Sequence, residues 1–235
     1  MKKPIFIAEV GMNYNKNFAL ASELIKQAAI SGADIVKFQL GWRDKPGEIN
    51  VITKEDIDHL IRISKLYDIE LMFSVISEDS LNLFKQFNFS SVKIASRTVR
   101  EDSLFQSIRA LGLNTFVSFG MSDVKDYIDV KRPNEKYLFC VSQYPTYYWD
   151  LIDFPLDFPS SPFDGYSDHT LGIEACLFAL SRGAQVIEKH FTLDKSETLI
   201  RDHSLSATPL EFRCLVDTGI ELSRIYQQIC RVNGK

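Results

Sequence analysis

Short apolar runs alternate with longer amphipathic stretches along this chain. Runs at residues 5–10, 35–39, 70–75, 91–95, 115–119, 137–142, 163–167 and 185–190 read as strands, each of strand length and rich in Val, Ile, Phe or Tyr. Between them, apolar positions at helical spacing predict helices over 19–31, 79–86, 102–111, 172–182 and 209–232. Another helix starts near Thr53, where Thr53-Lys54-Glu55-Asp56 resembles a capped first turn, and a weaker one covers 124–130. A Pro- and aromatic-rich stretch separates the sixth and seventh strands, over 144–162.

Strands alternating with helices imply parallel pairing through right-handed crossovers. Eight such units in 235 residues favour a closed (β/α)8 TIM barrel, an α/β fold, over an open doubly wound sheet. No Gly-x-Gly-x-x-Gly follows the first strand, so a dinucleotide-binding reading has no support. The whole chain, 1–235, is expected to form one barrel domain.

The net charge of −4 argues against a nucleic-acid surface or a polybasic membrane patch. An anionic substrate would therefore need a local basic site. The four cysteines, Cys140, Cys176, Cys214 and Cys230, show neither CxxC spacing nor a disulfide framework, which suits free thiols in a reducing compartment. No apolar run is long enough for a signal peptide or a membrane span, and the expected location is cytoplasmic.

A TIM barrel builds its active site at the C-terminal ends of its strands. All eight strands deliver polar groups there: Glu9; Lys37 with Gln39; Ser74; Lys93 with Ser96; Ser118; Ser142; Ser167 with His169; and Glu188, Lys189 and His190. A single lysine in a strand is usually a solvated edge residue. Barrel strands are covered on both faces, however, and an unpaired ammonium there is costly. A bound anion would explain Lys37 and Lys93, with the hydroxyls of Ser74, Ser96, Ser118 and Ser167 completing a cradle for phosphate and carboxylate. His169 and His190 end adjacent strands about 5 Å apart, close enough for two imidazoles to share one divalent ion.

At these residues the sequence resembles the sialic acid synthase family, which includes N-acetylneuraminate, pseudaminic, legionaminic and spore-coat relatives. The matching pieces run in order. They are Ala8-Glu9-Val10-Gly11 with Asn13 and Asn15; Val36-Lys37-Phe38-Gln39; Lys93-Ile94-Ala95-Ser96; Ser118 with Gly120-Met121; Cys140-Val141-Ser142 with Tyr144-Pro145-Thr146; Gly165-Tyr166-Ser167-Asp168-His169-Thr170; Glu188-Lys189-His190-Phe191-Thr192; and Asp202-His203 with Ser206 and Pro209. Each is weak alone, and together they cover nearly the whole chain.

The resemblance implies a TIM barrel that joins phosphoenolpyruvate to an open-chain N-acetylamino sugar such as N-acetylmannosamine, using manganese or magnesium. It implies metal ligation by His169 and His190. It also implies a phosphoenolpyruvate pocket of Lys37, Lys93, Ser96, Ser118 and Ser167, with Ser74 alongside and Gln39 beside it. Glu9 corresponds to the catalytic carboxylate, Asp202 to a second acid, and Tyr144 to a sugar contact, with Asn13 in the first matching motif. Family members are dimers, so self-association is expected by the same analogy.

The sequence departs from the family at several points. The family's Asn-His-Asn reads Asn13-Tyr14-Asn15, followed by Lys16 in place of Gly; Val75 stands for a Thr beside Ser74; Phe139 and Ser142 replace a His and an Asn around Cys140; and Ile200-Arg201 replace Gly-Pro. Arg201 either brings charge to the sugar site or points to solvent. The family's C-terminal antifreeze-like domain has no counterpart before Lys235, which leaves three explanations: a shortened chain, a separate cap-domain partner, or a barrel-only branch with another acceptor. Two alternatives to the synthase reading are a metal-dependent aldolase using a different aldehyde and a non-catalytic binding subunit. The cluster Tyr147, Tyr148 and Trp149 is a sugar platform, an interface, or a small core under its loop.

Overall fold

In a computed structural model describing residues 3–234, eight parallel strands close into a barrel in sequence order. They are β1 (Ile5–Gly11), β2 (Ile35–Leu40), β3 (Glu70–Val75), β4 (Ser91–Ile94), β5 (Asn114–Phe119), β6 (Glu135–Cys140), β7 (Gly165–Asp168) and β8 (Val186–His190). Six α-helices pack outside: α1 (Phe18–Ile30), α2 (Lys54–Leu66), α3 (Glu78–Phe84), α4 (Asp102–Arg109), α5 (Glu174–Ser181) and α6 (Pro209–Val232). The TIM barrel expected from the alternating pattern is the observed fold.

Two crossovers lack an α-helix. After β5 the segment Val124–Val130 is a 3-10 helix, where a weak helix was expected. The β6–β7 connection holds two 3-10 turns, Tyr148–Asp150 and Phe158–Ser160, because its prolines remove backbone donors that a longer helix would need. Elsewhere the capping signals hold. Thr53 Oγ1 accepts from Asp56 N at 3.2 Å while Thr53 N donates to Asp56 Oδ2 at 2.8 Å, fixing the start of α2. Thr208 and Glu211 repeat the arrangement at α6. No helix among the described residues is long and apolar enough to cross a membrane.

The twofold alternation of side chains decides what the barrel contains. Outward positions such as Phe6, Ala8, Val36, Phe38 and Phe73 pack under the helices in the larger core. Inward positions in the first half of the strands, Ile7, Ile35, Met72, Phe116, Leu138 and Val186, form a separate apolar plug. One step further along the same inward rows stand Glu9, Lys37, Ser74, Ser118, Cys140 and Glu188. The plug thus closes the bottom of the barrel and leaves a polar floor above it. Glycine is required where β7 meets β8, because a Cβ on Gly165 would lie 2.0 Å from the Val186 carbonyl oxygen.

Candidate active site

Above this floor lies a cavity of about 260 Å³ at the C-terminal ends of the strands. Its lining includes Glu9, Lys37, Gln39, Ser74, Lys93, Ser96, Ser118, Tyr144, Ser167, His169, His190 and Asp202, all of them residues the sequence singled out. Asn13 is the exception and corrects the expectation placed on it. Gly11 takes φ +55° just beyond Glu9, where the β1–β2 register also shifts, so the inward row is broken before Asn13. Asn13 is buried beneath the cavity wall instead. Its Nδ2 donates to Phe191 O and Ser206 Oγ, both at 3.0 Å, and so ties the loop after β1 to the one after β8.

The floor is an interleaved set of two ammoniums and two carboxylates. Lys37 Nζ is 2.7 Å from Glu9 Oε2 and 3.7 Å from Glu188 Oε2, and it donates to Ser74 Oγ at 2.9 Å. Lys93 Nζ donates to Ser118 Oγ at 2.7 Å and stands 3.6 Å from Glu188 Oε1. Ser167 Oγ donates to Glu188 Oε1 at 2.7 Å, and Gln39 Nε2 to Glu9 Oε1 at 2.9 Å. The two lysines are therefore not unpaired, and the sequence argument that burial alone demands a bound anion is corrected. Lys37 has a close carboxylate partner. Lys93 has only a distant one, so it retains the stronger case for an anion.

The electrostatics follow from this arrangement. Burial would raise the Glu188 pKa, but Lys37 and Lys93 overcome it and hold the carboxyl near 2. Glu9 lies above the ordinary glutamate value because burial outweighs its Lys37 partner, and the nearby Glu188 charge adds to the rise. For Lys37 the attraction of Glu188 and Glu9 exceeds the burial penalty and raises its pKa. For Lys93 burial wins and lowers it. The site can thus hold one carboxylate firmly ionised beside another that accepts a proton more readily.

The two imidazoles sit higher in the cavity, with ring centroids 5.5 Å apart. His169 Nδ1 is 2.7 Å from the Val141 carbonyl oxygen, which places the proton on Nδ1 and leaves the Nε2 lone pair free. Burial would lower this imidazole's pKa, but Cys140, whose Sγ lies 3.9 Å from the same nitrogen, and the Val141 carbonyl raise it. His190 Nδ1 is buried without a hydrogen-bond partner, and burial pulls this imidazole's pKa down to about 3, so it is neutral at pH 7. Two imidazoles, one oriented by a backbone carbonyl and one with an orphaned nitrogen, fit a divalent cation that takes its remaining ligands from substrate or water. Among the described residues no group of three or more His, Cys, Asp or Glu side chains is placed to hold a metal ion together.

The upper wall carries what the sequence left undecided. The Arg201 guanidinium carbon lies 4.4 Å over the Tyr144 ring, and Arg201 Nε donates to Asp202 Oδ1 at 3.3 Å, so Arg201 lines the cavity mouth. Ser142 lines the cavity as well, whereas Phe139 faces away from it into an aromatic cluster with Phe154, Phe163 and Tyr166. Tyr14 is also outside the cavity and donates its hydroxyl to Asn50 Oδ1 at 2.7 Å. His203 is structural, held between Thr192 Oγ1 and Asn15 Oδ1. Tyr147, Tyr148 and Trp149 are exposed and away from the cavity, which removes both the sugar-platform and the small-core readings.

Glu188, Cys140, Trp42 and Arg97 line the cavity without having been assigned a role from the sequence. Glu188 was accessible to reasoning, since it lies two residues before His190 and must share its face. Trp42 and Arg97 belong to irregular loops, where no periodicity predicts direction.

The NeuB family model matches residues 48–230 of this chain. The chain belongs to the NeuB family. N,N'-diacetyllegionaminic acid synthase of Campylobacter jejuni is 31% identical, over 92% of this chain and 75% of its own length. N-acetylneuraminate-9-phosphate synthase of Drosophila melanogaster is 28% identical, over 93% of this chain and 68% of its own. The fold is similar to a crystal structure of N-acetylneuraminic acid synthetase from Leptospira borgpetersenii, solved in complex with citrate. That match has a TM-score of 0.84 and 26% identity, covering 95% of this chain and 85% of the other. The family resemblance read from the motifs is thereby established, and the barrel is one of the sialic acid synthase type.

Proposed function

We propose that this NeuB-family barrel condenses phosphoenolpyruvate with an open-chain amino-sugar aldehyde, giving a nonulosonic acid and inorganic phosphate. The observation that carries the reading is the stacking of two functions in one cavity. Lys93, buried with Ser118 and without a close carboxylate, suits an enol-phosphate below, while His169 and His190 suit a cation above.

The residues divide the work. Lys37, Lys93 and the hydroxyls of Ser74, Ser96, Ser118 and Ser167 bind the phosphate and carboxylate of phosphoenolpyruvate. The chemistry that manganese or magnesium would supply, held by His169 and His190, is polarisation of the aldehyde carbonyl. C3 of the enol attacks the aldehyde carbon and positive character develops at C2. Glu9, fixed by Gln39 and Lys37, stabilises that charge and takes a proton from the water that adds there; its raised pKa favours proton acceptance. The tetrahedral intermediate then loses phosphate by C–O cleavage, with the lysines stabilising the leaving group. Asp202 and Tyr144 contact the acceptor from the wall.

The test is phosphate release from phosphoenolpyruvate with manganese, with and without an aldose, beside His169→Ala. Aldose-dependent release that the variant loses supports the reading. Phosphoenolpyruvate binding without release on any aldose returns it to a binding subunit.

A further inference from the structure

Arg97 follows β4 directly, next to Ser96 in the cavity wall, and begins a short 3-10 turn over Thr98–Arg100. Its guanidinium carbon lies 4.1 Å over the ring of Trp42. No carboxylate pairs with it among the described residues. The platform under it is built. Trp42 belongs to the loop after β2, and buried Asn50 pins that loop by donating its Nδ2 to Gln39 O and Trp42 O, both at 2.9 Å. The hydroxyl of Tyr14, one of this chain's departures from its family, fixes Asn50 in turn. Stacking on an indole sets the plane of a guanidinium and leaves its edge of N–H donors free.

Arg201 is held similarly over Tyr144. The strands that precede the two arginines, β4 and β8, are four apart in an eight-stranded barrel, and both side chains line the one cavity. Arg201 shares its charge with Asp202, whereas Arg97 shares its charge with no acid. The floor already supplies Lys37, Lys93 and several hydroxyls for the enolpyruvate anion. A neutral aldose would need hydrogen bonds at the rim, not free guanidinium charge.

We infer that the acceptor aldehyde is itself anionic, bearing a phosphate or carboxylate distal to the aldehyde, and that Arg97 on its Trp42 platform is the residue that selects it. The inference rests on the synthase reading above, and its test separates the two.

Phosphate release is measured with N-acetylmannosamine, its 6-phosphate and the corresponding uronic acid as acceptors. One charge-assisted bidentate contact discriminates by roughly 10- to 150-fold. The expected result is a kcat/KM higher by that factor for one anionic sugar, the phosphate or the uronate according to which group the site takes. Arg97→Gln should collapse that preference by a similar factor, Arg97→Lys should restore part of it, and the KM for phosphoenolpyruvate should stay within about twofold. A preference for the neutral sugar, or equal use of all three, overturns the inference. So does an Arg97→Gln variant that raises the phosphoenolpyruvate KM and leaves acceptor preference intact, because it assigns Arg97 to the first substrate. If no aldehyde gives release, the synthase reading fails, and calorimetric titration with the same sugars decides the role of Arg97. Tighter binding of an anionic sugar, weakened at least tenfold in Arg97→Gln, sustains it; indifference to charge ends it.

Discussion

Lys37 Nζ and Glu9 Oε2 stand 2.7 Å apart at the floor of the barrel, both side chains almost wholly withdrawn from water. A buried pair is neutral as a unit and costly when halved. Removing the cation by Lys37→Met leaves Glu9 and Glu188 facing each other and should lower stability by about 3–5 kcal/mol. Removing the anion by Glu9→Gln leaves Lys37 with Glu188 as counterion and should cost less than half of that. Urea unfolding of the two variants at pH 7 makes the comparison. In activity the order reverses in kind: Glu9→Gln should retain phosphoenolpyruvate binding and lose roughly 10²- to 10⁴-fold in kcat, the range of one general acid–base group.

The two imidazoles give a prediction that needs no turnover. Manganese should bind to the wild-type protein with a stoichiometry near one, read by electron paramagnetic resonance of the free ion. His190→Ala should abolish that binding. Chelation should remove activity and added manganese restore it. Because Val141 O fixes the His169 tautomer through the backbone, no single side-chain change removes that orienting bond, and His169→Gln should weaken metal affinity by more than the roughly 10- to 100-fold typical of losing an outer partner.

Behind the site, on the outer face of the sheet, Lys189 donates to Asp168 Oδ2 at 2.8 Å with both side chains fully buried. Asp168 also accepts from the Tyr166 hydroxyl at 2.7 Å and from Thr170 N at 2.8 Å. Burial alone would raise its pKa, but Lys189 and these donors bring it below the ordinary aspartate value. A carboxyl whose folded pKa is depressed contributes stability that is complete above its unfolded pKa and is lost as pH falls through the folded one. Wild-type stability should therefore drop as pH falls below 3.8, the ordinary aspartate value. Asp168→Asn strands a buried ammonium. It should lose about 3–5 kcal/mol at pH 7 and show a shallower acid limb in urea titrations repeated down the pH scale.

Periodicity carried most of this site because strand parity is rigid. Ser167 and His169, or Glu188 and His190, must share a face, and Asp168 and Lys189 must share the other, whatever the helices do. The boundaries of β3, Glu70–Val75, were readable to the residue. What could not be read was lateral. That Lys37 meets Glu9, and Lys93 meets Glu188, depends on barrel register and closure, which join residues 28 and 95 positions apart. Asn13 was misplaced because one left-handed glycine ends the alternation. Arg97 and Trp42 were invisible because a loop has no period.

Glu188 supplies the sharpest pH test. Lys93 is pulled below the ordinary lysine value chiefly by burial, and Glu188 is the leading charge that resists this. Glu188→Gln removes that resistance, so the Lys93 ammonium should lose its proton at lower pH than in the wild type. Phosphoenolpyruvate affinity depends on that charge in the proposed cradle. Its alkaline limb should therefore move to lower pH in Glu188→Gln, while Glu188→Asp, which keeps the charge, should move it less. Fluorescence or calorimetric titration of phosphoenolpyruvate from pH 6 to 10 reads the shift. An unchanged alkaline limb would mean that Lys93 does not hold the anion, and the binding charge would then have to be assigned to Lys37.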